Sequence, residues 1–180
     1  VYGQASTLLG GSGCLAEAVA AQGGMTAHKP KSVDFNTAAS LPLVGCSAIQ
    51  AIMDHLNVQE GQRILIHGAA GGIGAIAVQV ARHLGAHVIG TALTADVELV
   101  EELGADEARM QETGVKMISQ FTQPTTDRLT RLAKFVDDGV VTPHVGKVFP
   151  LDRTADAFTF RENEKPSGKV IVAMQADQAS

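Results

Sequence analysis

The chain has no tryptophan, one tyrosine and only two cysteines, Cys14 and Cys46, among 180 residues. Two cysteines give neither a disulfide framework nor a zinc quartet, so a reducing compartment is expected, with the cytoplasm as the default. There is no Lys/Arg cluster and the net charge is -5, which argues against nucleic acid or an anionic membrane surface as the main partner. No apolar run is long enough to span a bilayer. No charged leader opens the chain, and it starts at Val1 rather than Met, so it reads as cut from something longer and not as a secreted protein. What is present is 45% hydrophobic and 18% charged content, the make-up of a globular α/β protein with one full domain or two partial ones. Small ligands remain the obvious partners.

The most informative stretch is Arg63-Ile64-Leu65-Ile66-His67-Gly68-Ala69-Ala70-Gly71-Gly72-Ile73-Gly74. Ile64, Leu65 and Ile66 form the short apolar run of a parallel strand buried on both faces, and Gly61 marks the turn before it. Ile73, Ile76, Ala77, Val80, Ala81 and Leu84 recur at helical spacing, and Gly85 is placed to end that helix in a left-handed cap. Residues 87–91 then read as a second strand, completing a β-α-β unit. Without Cβ atoms at Gly71, Gly72 and Gly74 the backbone can approach a pyrophosphate, whose charge the following helix's N–H groups and dipole stabilise. Ala69 takes the first position of the usual G-x-G-x-x-G spacing, so the flanking strands and helix carry the argument. The unit predicts a nicotinamide dinucleotide site.

Around this unit the elements are shorter. Residues 15–20 alternate weakly, and 25–28 read as another short strand closed by Lys29-Pro30. Asp34 is placed to cap a helical turn through Ala39; Pro42 interrupts; Ala48, Ile49, Ile52, Met53 and Leu56 form the stripe of a further helix. Thr94 is placed to cap a helix with Asp96 and Glu98 in its first turn, Leu99, Val100 and Leu103 on its apolar side, and Gly104 as its stop. Residues 115–121 read as a strand broken by Pro124, and Asp127 starts a helix through Leu129, Leu132, Phe135 and Val136 to Gly139. Residues 145–149 and 170–174 are strands on either side of a helix over 154–160.

The histidines do not suggest a metal. His83 and His87 have the i, i+4 interval, but Gly85 between them breaks the helix, so they share no face. Cys14 and Cys46 read as small buried fillers, and His67 as a packed residue. Tyr2 has the chemistry to polarise a carbonyl but no nameable partner. No Ser/His/Asp set sits at a nucleophile elbow.

Three stretches together resemble the medium-chain dehydrogenase/reductase superfamily and, within it, the zinc-independent quinone oxidoreductases. They are Ala38-Ala39-Ser40-Leu41-Pro42-Leu43-Val44-Gly45-Cys46-Ser47-Ala48, the glycine stretch above, and Leu103-Gly104-Ala105-Asp106-Glu107. Asp138-Gly139, then Val148-Phe149-Pro150-Leu151, then Ser167-Gly168-Lys169-Val170-Ile171-Val172, are similar to the tail of the same family. The resemblance implies a Rossmann-type parallel sheet inserted into a GroES-like β domain. It divides the chain into a partial GroES-like domain (1–36), a Rossmann domain (37–142) and a return to the GroES-like domain (143–180).

The chain departs from that pattern twice. The opening part of the β domain, which supplies substrate contacts in the family, belongs before Val1. After Glu107 the sequence runs almost directly into what resembles the last Rossmann strand, omitting about two β-α units, roughly sixty residues at about thirty each. The sheet is therefore expected to be short of strands, whether through a natural shortening or because segments are skipped.

The resemblance also implies the cofactor and its contacts. The adenosine ribose is held by a carboxylate about twenty residues past the glycines in NAD enzymes, and Gly90-Thr91-Ala92 stands there instead. Family members with a small polar residue at that point commonly use NADPH, so NADP(H) is preferred and NAD(H) kept as the alternative. No Lys or Arg lies between Arg82 and Arg109, and Asp96 stands where relatives often carry a lysine, so the phosphate clamp is weak. Ser47 stands where relatives have a threonine beside the nicotinamide, and Lys169 approaches the cofactor by the same analogy. The expected cofactor-binding set is Ser47, Ala69, Ala70, Gly71, Gly72, Ile73, Gly74, Thr91 and Lys169, with no metal ligand and no nameable catalytic acid.

The expected activity is hydride transfer from NAD(P)H to a quinone or conjugated carbonyl without zinc. The alternatives are a catalytically silent dinucleotide-binding or dimerisation fragment, and, more weakly, alcohol oxidation. A homodimer is implied, since relatives pair edge strands of their Rossmann sheets and residues 115–121 resemble such an edge.

Overall fold

The computed structural model describes residues 1–5, 14–105, 121–164 and 166–174. Its centre is a β-α-β unit. Strand β3 (Arg63–His67) pairs in parallel with β4 (His87–Thr91), in register from Arg63 opposite His87 to His67 opposite Thr91. The crossover is α3 (Gly72–His83). Its last turn closes through Gly85 N–H to Arg82 O at 2.9 Å and Ala86 N–H to Ala81 O at 3.1 Å, with Gly85 at φ +80°. This doubly bonded cap needs a left-handed residue after the helix, which glycine adopts without strain.

Pro42 does not interrupt a helix. It occupies the first turn of α2 (Pro42–Ile49), where its missing N–H would have had no intrahelical partner. The helix continues into a π-helical turn over Gln50–His55, with Leu56 N–H reaching back to Ala51 O at 2.9 Å. Ala48, Ile49 and Ile52 are buried, with Met53 and Leu56 at the edge of the core. Before α2, Asp34 caps α1 (Phe35–Ala39) by accepting from Thr37 N–H at 2.7 Å. Helix α5 (Thr126–Asp137) lies against α2, burying Leu129, Leu132, Ala133 and Val136. Its cap is Thr125, whose hydroxyl oxygen accepts from Arg128 N–H, so the helix starts just before Asp127.

Two smaller sheets complete the described part. β1 (Tyr2–Gly3) and β2 (Thr26–Ala27) pair antiparallel, while residues 14–20 are exposed, with bends over 14–18 and no strand, so Cys14, expected as a buried filler, lies exposed and only Cys46 is buried. The weak alternation there never had an apolar face to bury. β5 (Val145–Pro150) and β6 (Lys169–Ala173) pair in parallel across α6 (Thr154–Glu164). Helix α4 spans Val97–Glu102 and has Asp96, not Thr94, at its N-cap position, because a 3-10 turn over Thr94–Asp96 precedes it. The described β3–β4 sheet has only two strands. The expected strand at 115–121 lies, up to its last residue, outside the described residues, as do Asp106 and Glu107.

The Asp34 cap makes a measurable contribution. Hydrogen bonds from the Thr37 hydroxyl, and then from its amide, hold the Asp34 carboxyl below the usual carboxylate range. A carboxyl depressed on folding stabilises the fold above its unfolded pKa, and that contribution is lost as pH falls through the folded one. Asp34→Ala is expected to cost about 1 kcal/mol at neutral pH. Urea unfolding of both proteins should show that gap closing in acid.

Candidate dinucleotide site

The site is built from the end of β3 outward. Gly68 leaves the strand at φ +66°, and Gly71 N–H donates back to Gly68 O at 2.9 Å. The turn is anchored to β4, since Ala69 N–H donates to Thr91 O at 2.8 Å and Gly68 N–H to Thr91 Oγ1 at 3.3 Å. His67 Nδ1 lies 3.1 Å from the same hydroxyl. Thr91 therefore sets the position of the turn.

Close approach explains the glycines. A Cβ on Gly74 would lie 2.2 Å from Gly68 O and 2.8 Å from Ala69 Cα, so only glycine lets the helix fold this tightly under the turn. A Cβ on Gly72 would meet Val44 Cγ1 at 3.2 Å and Lys169 Cδ at 3.4 Å. No side chain caps α3, and the amides of its first turn are left for a ligand or water.

That helix end opens into a cleft of about 1010 Å³. It is lined by the turn at 68 and 70–74, by Arg161, Glu162, Gly168 and Lys169, and by Ile52, Leu56 and the flank of β3. The volume suits a large ligand, at the upper end of the common range. Lys169 is half-buried, with its aliphatic stem over Gly72. Burial first, and the nearby Arg161 guanidinium second, hold its ammonium below the ordinary lysine pKa.

Of the residues expected from sequence, Ala70, Gly71, Gly72, Ile73, Gly74 and Lys169 line this one cleft. Ala69 is fully buried inside the turn, and Thr91 stands behind it. Ile73 is 47% exposed, so it belongs to the cleft mouth and not to the buried stripe of α3. Ser47 lies apart from the cleft. It is buried in α2, with its hydroxyl bonded to Leu43 O at 2.8 Å and to the Thr122 hydroxyl. Tyr2 is also elsewhere, buried and donating to Leu129 O at 2.5 Å, with burial raising its pKa above the usual tyrosine value. His67, expected from sequence to be packed, is exposed and lines the cleft, while Arg161 and Glu162 were not singled out from sequence. His67 carries a signal in directly preceding the turn, whereas Arg161 and Glu162 belong to no motif.

The comparisons agree with this geometry. A family model described as zinc-binding dehydrogenase matches residues 41–172, which include the turn, the cleft and Lys169. The chain belongs to that family, within the medium-chain dehydrogenase/reductases. It is 31% identical over 204 aligned positions to an NADPH-dependent alkenal/one oxidoreductase of Arabidopsis thaliana, covering 89% of this chain and 53% of that protein. To a 2-methylene-furan-3-one reductase of Solanum lycopersicum it is 28% identical, covering 89% and 52%. The quinone oxidoreductase of Coxiella burnetii shares its fold at a TM-score of 0.72 and 22% identity, covering 82% of this chain and 63% of that one. The chain thus spans about half the length of the two curated plant relatives. Because 204 positions exceed its own 180 residues, the Arabidopsis relative carries residues that it lacks within the matched span.

The family description implies zinc, and the described residues do not fit it. Among them no three His, Cys, Asp or Glu side chains come together as a metal site. Burial pushes the Cys46 thiol up to about 11, the opposite of what a metal-binding thiolate needs. His83 packs edge-on against Phe135 with ring centroids 5.5 Å apart. A dinucleotide does fit, because the uncapped first turn of α3 faces a cleft whose lining includes the Arg161 and Lys169 cations.

Proposed function

We propose that this chain is the nucleotide-binding part of an NADP(H)-dependent oxidoreductase that reduces quinones or conjugated carbonyls without zinc. One observation carries the reading, namely the uncapped start of α3 opening under Lys169 into a cleft of dinucleotide size. When bound, the reduced nicotinamide supplies a hydride, and a proton from solvent completes the reduction. The chain's own residues bind and orient. The glycine turn receives the diphosphate, and the apolar side chains lining the cleft exclude water.

The preference for NADP(H) over NAD(H) is supported by the end of β4, where Gly90, Thr91 and Ala92 offer no carboxylate to repel a 2′-phosphate. It is supported too by the Arabidopsis relative, which is named for NADPH dependence. We assign residues 1–36 and 143–180 to parts of a GroES-like domain and 37–142 to a shortened Rossmann domain. A homodimer and a cytoplasmic setting belong to the same reading, the latter supported by two unpaired cysteines. No described helix is long and apolar enough to cross a membrane.

The competing reading is a silent binding or dimerisation fragment, favoured by the two-stranded β3–β4 sheet. Consumption of NADPH with phenanthrenequinone separates the two. Sustained turnover is expected, and nucleotide binding without turnover would refute the reductase.

A further inference from the structure

Arg161 and Lys169 come from the same β-α-β unit and line the same cleft as Gly68, Gly71, Gly72 and Gly74. Arg161 lies in the last turn of α6, and Lys169 opens β6. Between them Gly168 turns at φ +81°, where a Cβ would stand 2.5 Å from His144 Cδ2 and 2.7 Å from Gly146 N. Lys169 N–H then donates to His144 O at 3.0 Å. The start of β6 is thereby fixed, and with it the direction in which the Lys169 stem crosses Gly72.

Among the described residues neither cation has an acidic partner within ion-pair distance, and Glu162 is the one carboxylate lining the cleft with them. Two like charges beside one cavity repel, and the Arg161 guanidinium adds, after burial, to what holds the Lys169 ammonium down. A ligand carrying two negative charges turns that cost into attraction. The glycine turn itself offers backbone amides, which orient an anion but leave much of its charge uncompensated.

We infer that Arg161 and Lys169 hold the dinucleotide's diphosphate beside the glycine turn, with Arg161 a further binding residue that fixes the cofactor against α3. The inference rests on the dinucleotide reading above and adds a residue and a ligand group to it. A guanidinium suits the role, since its fork can engage two phosphate oxygens at once.

The test is titration of the full chain with NADPH and with NADH, followed by nucleotide fluorescence, at low and high salt. Arg161→Ala is expected to weaken both about tenfold, the loss of one charge-assisted contact. The salt dependence of binding should flatten in the same variant. Arg161→Lys should recover most of the affinity, and Arg153→Ala, in the turn just before the same helix and paired with Asp156, should bind as the parent does. Unchanged affinity in Arg161→Ala would overturn the inference while leaving the dinucleotide reading intact. A loss confined to NADPH would overturn it as well, assigning the arginine to the 2′-phosphate. If the parent chain takes up neither nucleotide, the dinucleotide reading itself fails.

Discussion

Gly74→Ala is expected to lower NADPH affinity by at least about a hundredfold, an effect of the size of a lost anion cradle and not of one trimmed contact. The added methyl would sit 2.2 Å from a carbonyl oxygen and 2.8 Å from an α-carbon. Both are backbone atoms, so no side chain can swing aside. Either α3 moves off the turn or the turn opens, and both displace the first-turn amides from where a diphosphate would rest. The strain should also cost about 1–3 kcal/mol of stability. Fluorescence titration and thermal unfolding report the two effects separately. Near-parental binding would show that the cradle is not where the nucleotide sits.

A second large effect is expected where α2 meets α5. A Cβ on Gly45 would stand 2.2 Å from Leu132 Cδ2, and Leu132 is fully buried. Leu132→Ala should cost about 2–5 kcal/mol through lost burial and the cavity left behind. Gly45→Ala should cost about 1–3 kcal/mol by overpacking, despite alanine's better helix propensity. Combined, the alanine methyl would enter the space vacated by the leucine, so the double variant should cost less than the two singles summed. Urea unfolding of the four proteins tests this, and strict additivity would contradict the contact. The contact also supports the cleft, because Val44, next to Gly45, forms the wall behind Gly72.

The β3-α3-β4 unit was legible in the sequence because its signals are local and agree with one another. An apolar strand run, a side-chain-free turn, helical spacing and a terminal glycine all demand the same path. Pro42 was misleading because proline has two meanings, breaker inside a helix and starter at its first turn, and only the preceding Leu41 in helical conformation decides between them. The start of α4 shifted for a similar reason, since a 3-10 turn can take up the residues before an α-helix without changing the apolar pattern.

The site was legible as far as its backbone reached. The turn follows from glycine spacing, and Lys169 came from resemblance. Arg161 was not readable, because its relation to Gly72 exists only once the chain has folded back. Ser47 shows the converse. Its motif position is clear, yet its hydroxyl is occupied by Leu43 and Thr122.

The stem of Lys169 lies across Gly72, a residue far earlier in the chain. During synthesis the glycine turn leaves the ribosome well before that lysine does. A nascent chain ending before β6 would hold the glycine turn without the lysine that packs on it, so this contact forms only once β6 has been made.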